Sequence, residues 1–156
     1  MDGFRTAMEA SVYTLVALTR EMEELLAKSE SGGSIVTLSY YGSQKVIPNY
    51  NVMGVAKAAL EASVRYLASD LGPKDIRVNA ISAGPIKTLS AAGIKGMRGM
   101  LEQMGNTTPL GRNVNIDDVG GAAVFALSDL GRGMTGDVMY VDAGYHSLGA
   151  WSGESP

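Results

Sequence analysis

Leu67-Ala68-Ser69-Asp70-Leu71-Gly72-Pro73-Lys74-Asp75-Ile76-Arg77-Val78-Asn79-Ala80-Ile81 reads as the end of a helix, its stop, and a strand. Gly72-Pro73 halts the helix, since proline has no N–H with which to continue the ladder. Working upstream, residues 49–71 place Leu60, Val64, Leu67 and Leu71 on one stripe. Ala56, Ala59, Ala62 and Ser63 make a second stripe, small enough for another element to approach closely. Pro48 is expected to open this helix. Earlier still, Ile35-Val36-Thr37-Leu38 is a continuous run rich in β-branched residues, expected of a strand buried on both faces. Before it, residues 4–27 predict a helix whose stripe is Phe4, Met8, Leu15, Leu18, Met22 and Leu25, with Gly32 as its stop. Downstream, Asp117 or Asp118 is expected to cap a helix running to Leu130, and Val138-Met139-Tyr140-Val141 reads as a third strand. Helix, strand, helix, strand, helix, strand is the alternation of a parallel sheet joined by right-handed crossovers. The expectation is one continuous α/β unit over residues 1–156.

Composition narrows the function. Thirteen Lys and Arg against sixteen Asp and Glu leave a net charge of −3 with no basic block, which argues against nucleic-acid binding. No apolar run approaches the roughly 20 residues that span a bilayer, and the Met1-Asp2-Gly3-Phe4-Arg5 start lacks the basic-then-apolar order of a secretory signal. Zero Cys excludes disulfides, thiolate metal sites and thiol nucleophiles, and a single His makes a dedicated metal site improbable. A cytoplasmic protein with no membrane partner is expected.

Three motifs bear on chemistry. Gly131-Arg132-Gly133-Met134-Thr135-Gly136 fits G-x-G-x-x-G, but it follows a helix and precedes a strand. A dinucleotide cradle needs the opposite order, so a connecting loop is expected. Tyr41-Gly42-Ser43-Gln44-Lys45 fits Y-x-x-x-K, yet Pro48 makes a helix through it unfavourable. Tyr50 and Lys57, seven residues apart, lie two turns apart on one side of the 49–71 helix. Spacing leaves two readings open: a buried Tyr and an exposed Lys, or a phenol made a better acid by a nearby ammonium.

The run Leu38-Ser39-Tyr40-Tyr41-Gly42, then Ile47-Pro48-Asn49-Tyr50-Asn51-Val52-Met53-Gly54-Val55-Ala56-Lys57, then Arg77-Val78-Asn79-Ala80-Ile81-Ser82-Ala83-Gly84-Pro85-Ile86-Lys87-Thr88 closely resembles the enoyl-acyl-carrier-protein reductases. These are the divergent Tyr-x6-Lys branch of the short-chain dehydrogenase/reductase family. The resemblance extends to Val141-Asp142-Ala143-Gly144-Tyr145-His146. It implies a partial doubly wound, Rossmann-type parallel sheet lacking the N-terminal βαβ cofactor half. It also implies Tyr50 as catalytic tyrosine, Lys57 as the lysine on the nicotinamide ribose, and Tyr40 as the second active-site tyrosine. Ile86, Lys87, Thr88, Leu89 and Ser90 match the segment that holds the nicotinamide carboxamide and begins the substrate lid. The implied reaction is hydride transfer from NADH, with NADPH as the alternative, to C3 of a trans-2-enoyl thioester on acyl carrier protein, in a homotetramer. A ketoacyl reductase is disfavoured by the six-residue gap between Tyr50 and Lys57. The alternative from another class is a non-catalytic fragment or interaction partner keeping the second half of the fold.

Residues 84–112 take no definite element on sequence alone. Met97, Met100, Leu101 and Met104 interleave with Gly93, Gly96, Gly99 and Gly105, a composition suited to a mobile lid or to a helix packed on the core. Lys87, Lys95, Arg98 and Arg112 outnumber Glu102, a local basic face suited to an acidic carrier protein or to a solvated helix. His146 and Trp151 are expected to serve packing.

Overall fold

The computed structural model describes residues 1–86 and 97–149. Three parallel strands, β1 (Gly33–Ser39), β2 (Ile76–Ala83) and β3 (Val138–Val141), pair in the order β1-β2-β3. Register runs from Gly33 opposite Ile76 to Ser39 opposite Ser82, so β1 and β2 end level at their carboxyl edge. Helices α1 (Asp2–Met8) and α2 (Thr14–Leu26) precede the sheet, α3 (Asn51–Leu71) connects β1 to β2, and α4 (Met97–Thr107) and α5 (Ile116–Leu127) lie between β2 and β3. Among the described residues no helix is long and apolar enough to cross a membrane.

Alternation along the strands puts helices on both faces. Ile35, Ile76, Val78 and Ala80 pack with Val64, Ala68 and Leu71 of α3 in the main core. On the opposite face, the Ser34 hydroxyl donates to the Ala126 carbonyl of α5 at 3.1 Å. This is the doubly wound arrangement, in partial form. The stripe of α3 is as expected: Leu60, Val64 and Leu71 are buried, Leu67 packs against the core, and Gly72–Lys74 forms a short 3-10 turn directly after the helix.

Four expectations need correction. The helix over 4–27 is two α-helices joined by a π turn, Glu9–Tyr13. A π turn takes an extra residue and rotates the face that follows. Beyond the turn Leu18, Met22 and Leu25 therefore point outward, at 56%, 44% and 67% exposure, while Leu15 and Leu26 reach the core; Phe4, ahead of it, is 53% exposed. Strand β1 is only half-buried and Leu38 is exposed, because α5 covers the Ser34 end of that face and β1 has one strand neighbour among the described residues. Pro48 does not open a helix: α3 starts at Asn51. The cap of α5 is Asn115, and Asp118 closes the capping box from the third helical position, with bonds of 2.9 Å in each direction. That helix ends at Leu127, and a 3-10 turn, Asp129–Gly131, follows.

Candidate active site

Tyr40 is the first residue beyond β1, in extended conformation, and the chain then tightens into a 3-10 turn, Tyr41–Ser43. The turn packs against the start of α3. Tyr50 sits at the N-cap of that helix, between Asn49 and Asn51, whose φ values are +65° and +43°. Asparagine tolerates the left-handed region better than most residues with a side chain, so this pair can bend the chain from Pro48 into the helix. The rings of Tyr40 and Tyr50 meet edge to face, with centroids 4.9 Å apart and planes at 72°.

Glycine makes the contact possible. A Cβ on Gly42 would lie 2.5 Å from Cδ1 of Tyr50, and one on Gly54 would lie 2.7 Å from the Gly42 carbonyl oxygen. The turn and α3 thus approach through backbone, with the Tyr50 ring lying over Gly42.

Lys57, two turns along α3, donates from Nζ to the Leu38 carbonyl at 2.7 Å. Burial lowers its pKa and the charge of Glu61 opposes that shift. An ammonium has three N–H donors, and one is used among the described residues. Tyr40's phenol is pushed up to about 12, by burial first and then by Tyr145 and Tyr50. Its hydroxyl is buried and has no hydrogen-bond partner among the described residues. Burial also pushes the Tyr50 phenol up. Both phenols keep their protons at neutral pH and stand as hydrogen-bond donors.

The parallel register brings a second segment to the same edge. Beyond Ala83, Gly84-Pro85-Ile86 leave the end of β2 beside the end of β1, with Ile86 half-buried. Lys87, Thr88, Leu89 and Ser90 lie outside the described residues, as do Gly93, Lys95, Gly96 and Trp151. Helix α4 gives part of the 84–112 segment a definite form, with Met104 buried and the Leu101 carbonyl accepting from Asn113 Nδ2 at 2.6 Å.

The other two motifs are connecting structure. The 131–136 loop is pinned from β2: the Arg77 guanidinium donates to the Gly131 carbonyl at 2.9 Å, and Asn79 Nδ2 to the Met134 carbonyl at 3.0 Å. Tyr41 packs edge to face against Tyr140 and Tyr145 and donates to the His146 carbonyl at 3.3 Å, while Lys45 is exposed. His146 stacks on Tyr140, with centroids 4.0 Å apart, and its Nδ1 lies 3.0 Å from Asp142, in keeping with a packing role.

Sequence reasoning passed over Glu61 and Gly42. Glu61 is buried and accepts from Ser39 and Ser43. The available signal was a charged residue one turn beyond Lys57 among small and apolar neighbours.

The family described as Enoyl-(Acyl carrier protein) reductase matches residues 1–146. The enoyl-(acyl-carrier-protein) reductase (NADH) FabI of Rickettsia prowazekii is 55% identical over 150 residues, which are 96% of this chain and 56% of that protein. The corresponding Aquifex aeolicus protein is 52% identical over 153 residues, 98% of this chain and 56% of its own length. The crystal structure of the Aquifex aeolicus enzyme superposes with a TM-score of 0.90 at 53% identity, covering 96% of this chain and 57% of that one. The Anaplasma phagocytophilum enzyme, solved in complex with NAD, gives 0.90 at 54%, covering 97% and 57%. The chain spans about half the length of the relatives it matches.

Proposed function

The chain belongs to the enoyl-(acyl-carrier-protein) reductase family, and from that premise we propose that it is the catalytic part of an NADH-dependent reductase of fatty acid biosynthesis. Its substrate is a trans-2-enoyl thioester on acyl carrier protein, reduced at C3. The observation that carries the reading is the Tyr40–Tyr50 pair beside the carboxyl edge of a parallel sheet, with a buried Tyr40 hydroxyl that has no partner among the described residues.

The residues present fit the nicotinamide-ribose end of the cofactor. Lys57 has N–H donors to offer ribose hydroxyls, and Ile86, Lys87, Thr88, Leu89 and Ser90 would hold the carboxamide. The 131–136 loop does not fit the pyrophosphate, since β2 side chains hold it against the sheet. When bound, NADH supplies the hydride. Tyr50, protonated at neutral pH, donates a hydrogen bond to the thioester oxygen as negative charge grows there. Lys57 orients the ribose and adds positive charge nearby. Tyr40 shapes the substrate side of the pocket, in an apolar setting that keeps its phenol neutral.

Residues 1–156 act as one unit in the cytoplasm, and the outward apolar stripe of Phe4, Leu18, Met22 and Leu25 supports assembly into a homotetramer. NADH oxidation on addition of crotonyl thioester, with the chain in a context that supplies the cofactor half, tests the activity. Turnover that needs both Tyr50 and Lys57 is the expected result. A folded protein that binds partners but never oxidises NADH would favour the non-catalytic reading.

A further inference from the structure

Glu61 carries a carboxylate that the proposed reaction leaves unused. It lies on α3 at 5% exposure, where an ionised group persists only with hydrogen bonds or a counter-charge. Its Oε1 accepts from the Ser39 hydroxyl at 2.5 Å and from the Ser43 hydroxyl at 2.6 Å. Those serines bracket Tyr40-Tyr41-Gly42, the corner on which both the Tyr40 ring and the Gly42 contact depend. One turn earlier on the same helix, Lys57 holds the Leu38 carbonyl. Two successive turns of α3 therefore grip the chain on both sides of Tyr40, and that helix also carries Tyr50 at its cap.

We infer that Glu61 is a positioning residue of this site, holding Tyr40, Tyr50 and Lys57 in one arrangement through its bonds to Ser39 and Ser43 and its charge beside Lys57. The inference rests on the reading of those three residues as the reacting groups. Among the described residues the groups facing Glu61 are the Ser39 and Ser43 hydroxyls, the Lys57 ammonium and, from β3, the Tyr140 phenol, which the carboxylate pushes up after burial has done so. A merely structural Glu61 would be replaced silently by Gln, whose Oε1 still accepts from both hydroxyls. The charge is what Gln cannot supply.

The experiment follows Lys57 directly. In the full chain, labelled at lysine Cε, NMR titration locates the Lys57 signal by its loss in Lys57→Arg. Glu61→Gln is expected to lower the Lys57 titration by about one pH unit, with folding checked by urea denaturation. An unshifted Lys57 in folded Glu61→Gln would overturn the inference. Should that variant fail to fold, Ser43→Ala keeps the carboxylate. It is expected to leave the Lys57 titration in place and to move the Tyr40 and Tyr50 ring resonances; unmoved rings would reject the proposal. Neither readout needs turnover, so a shifted Lys57 in a protein without NADH oxidation counts against the reductase reading and supports the role of Glu61 in arranging the cluster. In an active protein, Glu61→Gln is expected to cut kcat about tenfold with little change in KM for the enoyl thioester.

Discussion

Tyr40 and Tyr50 touch edge to face at 4.9 Å, one just past the end of β1 and the other at the cap of α3, with Gly42 beneath the Tyr50 ring. The contact joins two segments that share no local periodicity. It keeps both phenols in a desolvated setting in which they remain protonated.

Tyr50→Phe removes the donor proposed for the thioester oxygen, and in a context that supplies the cofactor half turnover is expected to drop by about 10²-fold or more. Tyr41→Phe removes only a bond to the His146 carbonyl and should leave turnover nearly unchanged. Steady-state NADH oxidation of the two variants decides the matter; equal losses would reject the assignment of Tyr50.

Gly42→Ala places a methyl group within 2.5 Å of the Tyr50 ring and 3.3 Å of the Tyr40 ring. The Tyr50 ring or the turn must give way, and overpacking of this kind costs about 1–3 kcal/mol. Urea unfolding should register that loss, and kcat should fall with it. Unchanged stability and activity would mean that the turn relaxes away from α3.

Tyr40 titrates in the fold at about 12, above the roughly 10 of an unfolded tyrosine. For a group raised in the folded state, the stability it contributes is full below pH ~10 and is lost as pH rises toward ~12. Tyrosinate absorbance of the folded protein should show a late step near that value, and Tyr40→Phe should remove it. Persistence of the step in that variant would assign it elsewhere.

Asp118 is held down to about 2 by its bond to Arg112, whose guanidinium donates at 2.6 and 3.1 Å, and by the Asn115 backbone N–H. Its folded pKa lies below the unfolded value of about 3.9, so its contribution is present above that value and is lost as pH falls toward 2. Asp118→Asn should therefore be less stable than the parent at neutral pH. The gap between the two urea midpoints should narrow between pH ~4 and ~2. A gap that stays constant across that window would show that the pairing survives in the unfolded chain.

The elements were legible where local physics decides them. Apolar spacing along 49–71, the Gly72-Pro73 stop and the run 76–81 place α3 and β2 to within a few residues. The order of elements around 131–136 marked that glycine run as a connection. Breakers and periodicity act within a few turns of chain, so they are written in contiguous residues.

The packing of those elements was decided at longer range. A π turn at Glu9–Tyr13 rotated α2 and turned Leu18, Met22 and Leu25 to the surface, because an i to i+5 bond shifts phase with no compositional mark. Leu38 lies exposed on the face whose Ser34 end meets α5. Glu61 meets Ser39 and Ser43 from 22 and 18 residues away, and the Tyr40–Tyr50 contact forms only once α3 lies against the end of β1. By itself the sequence determined the kinds of element and their order. Tertiary structure alone decided which faces are covered and how the buried carboxylate meets the serines on either side of Tyr40, because those depend on contacts between segments that no spacing within a segment encodes.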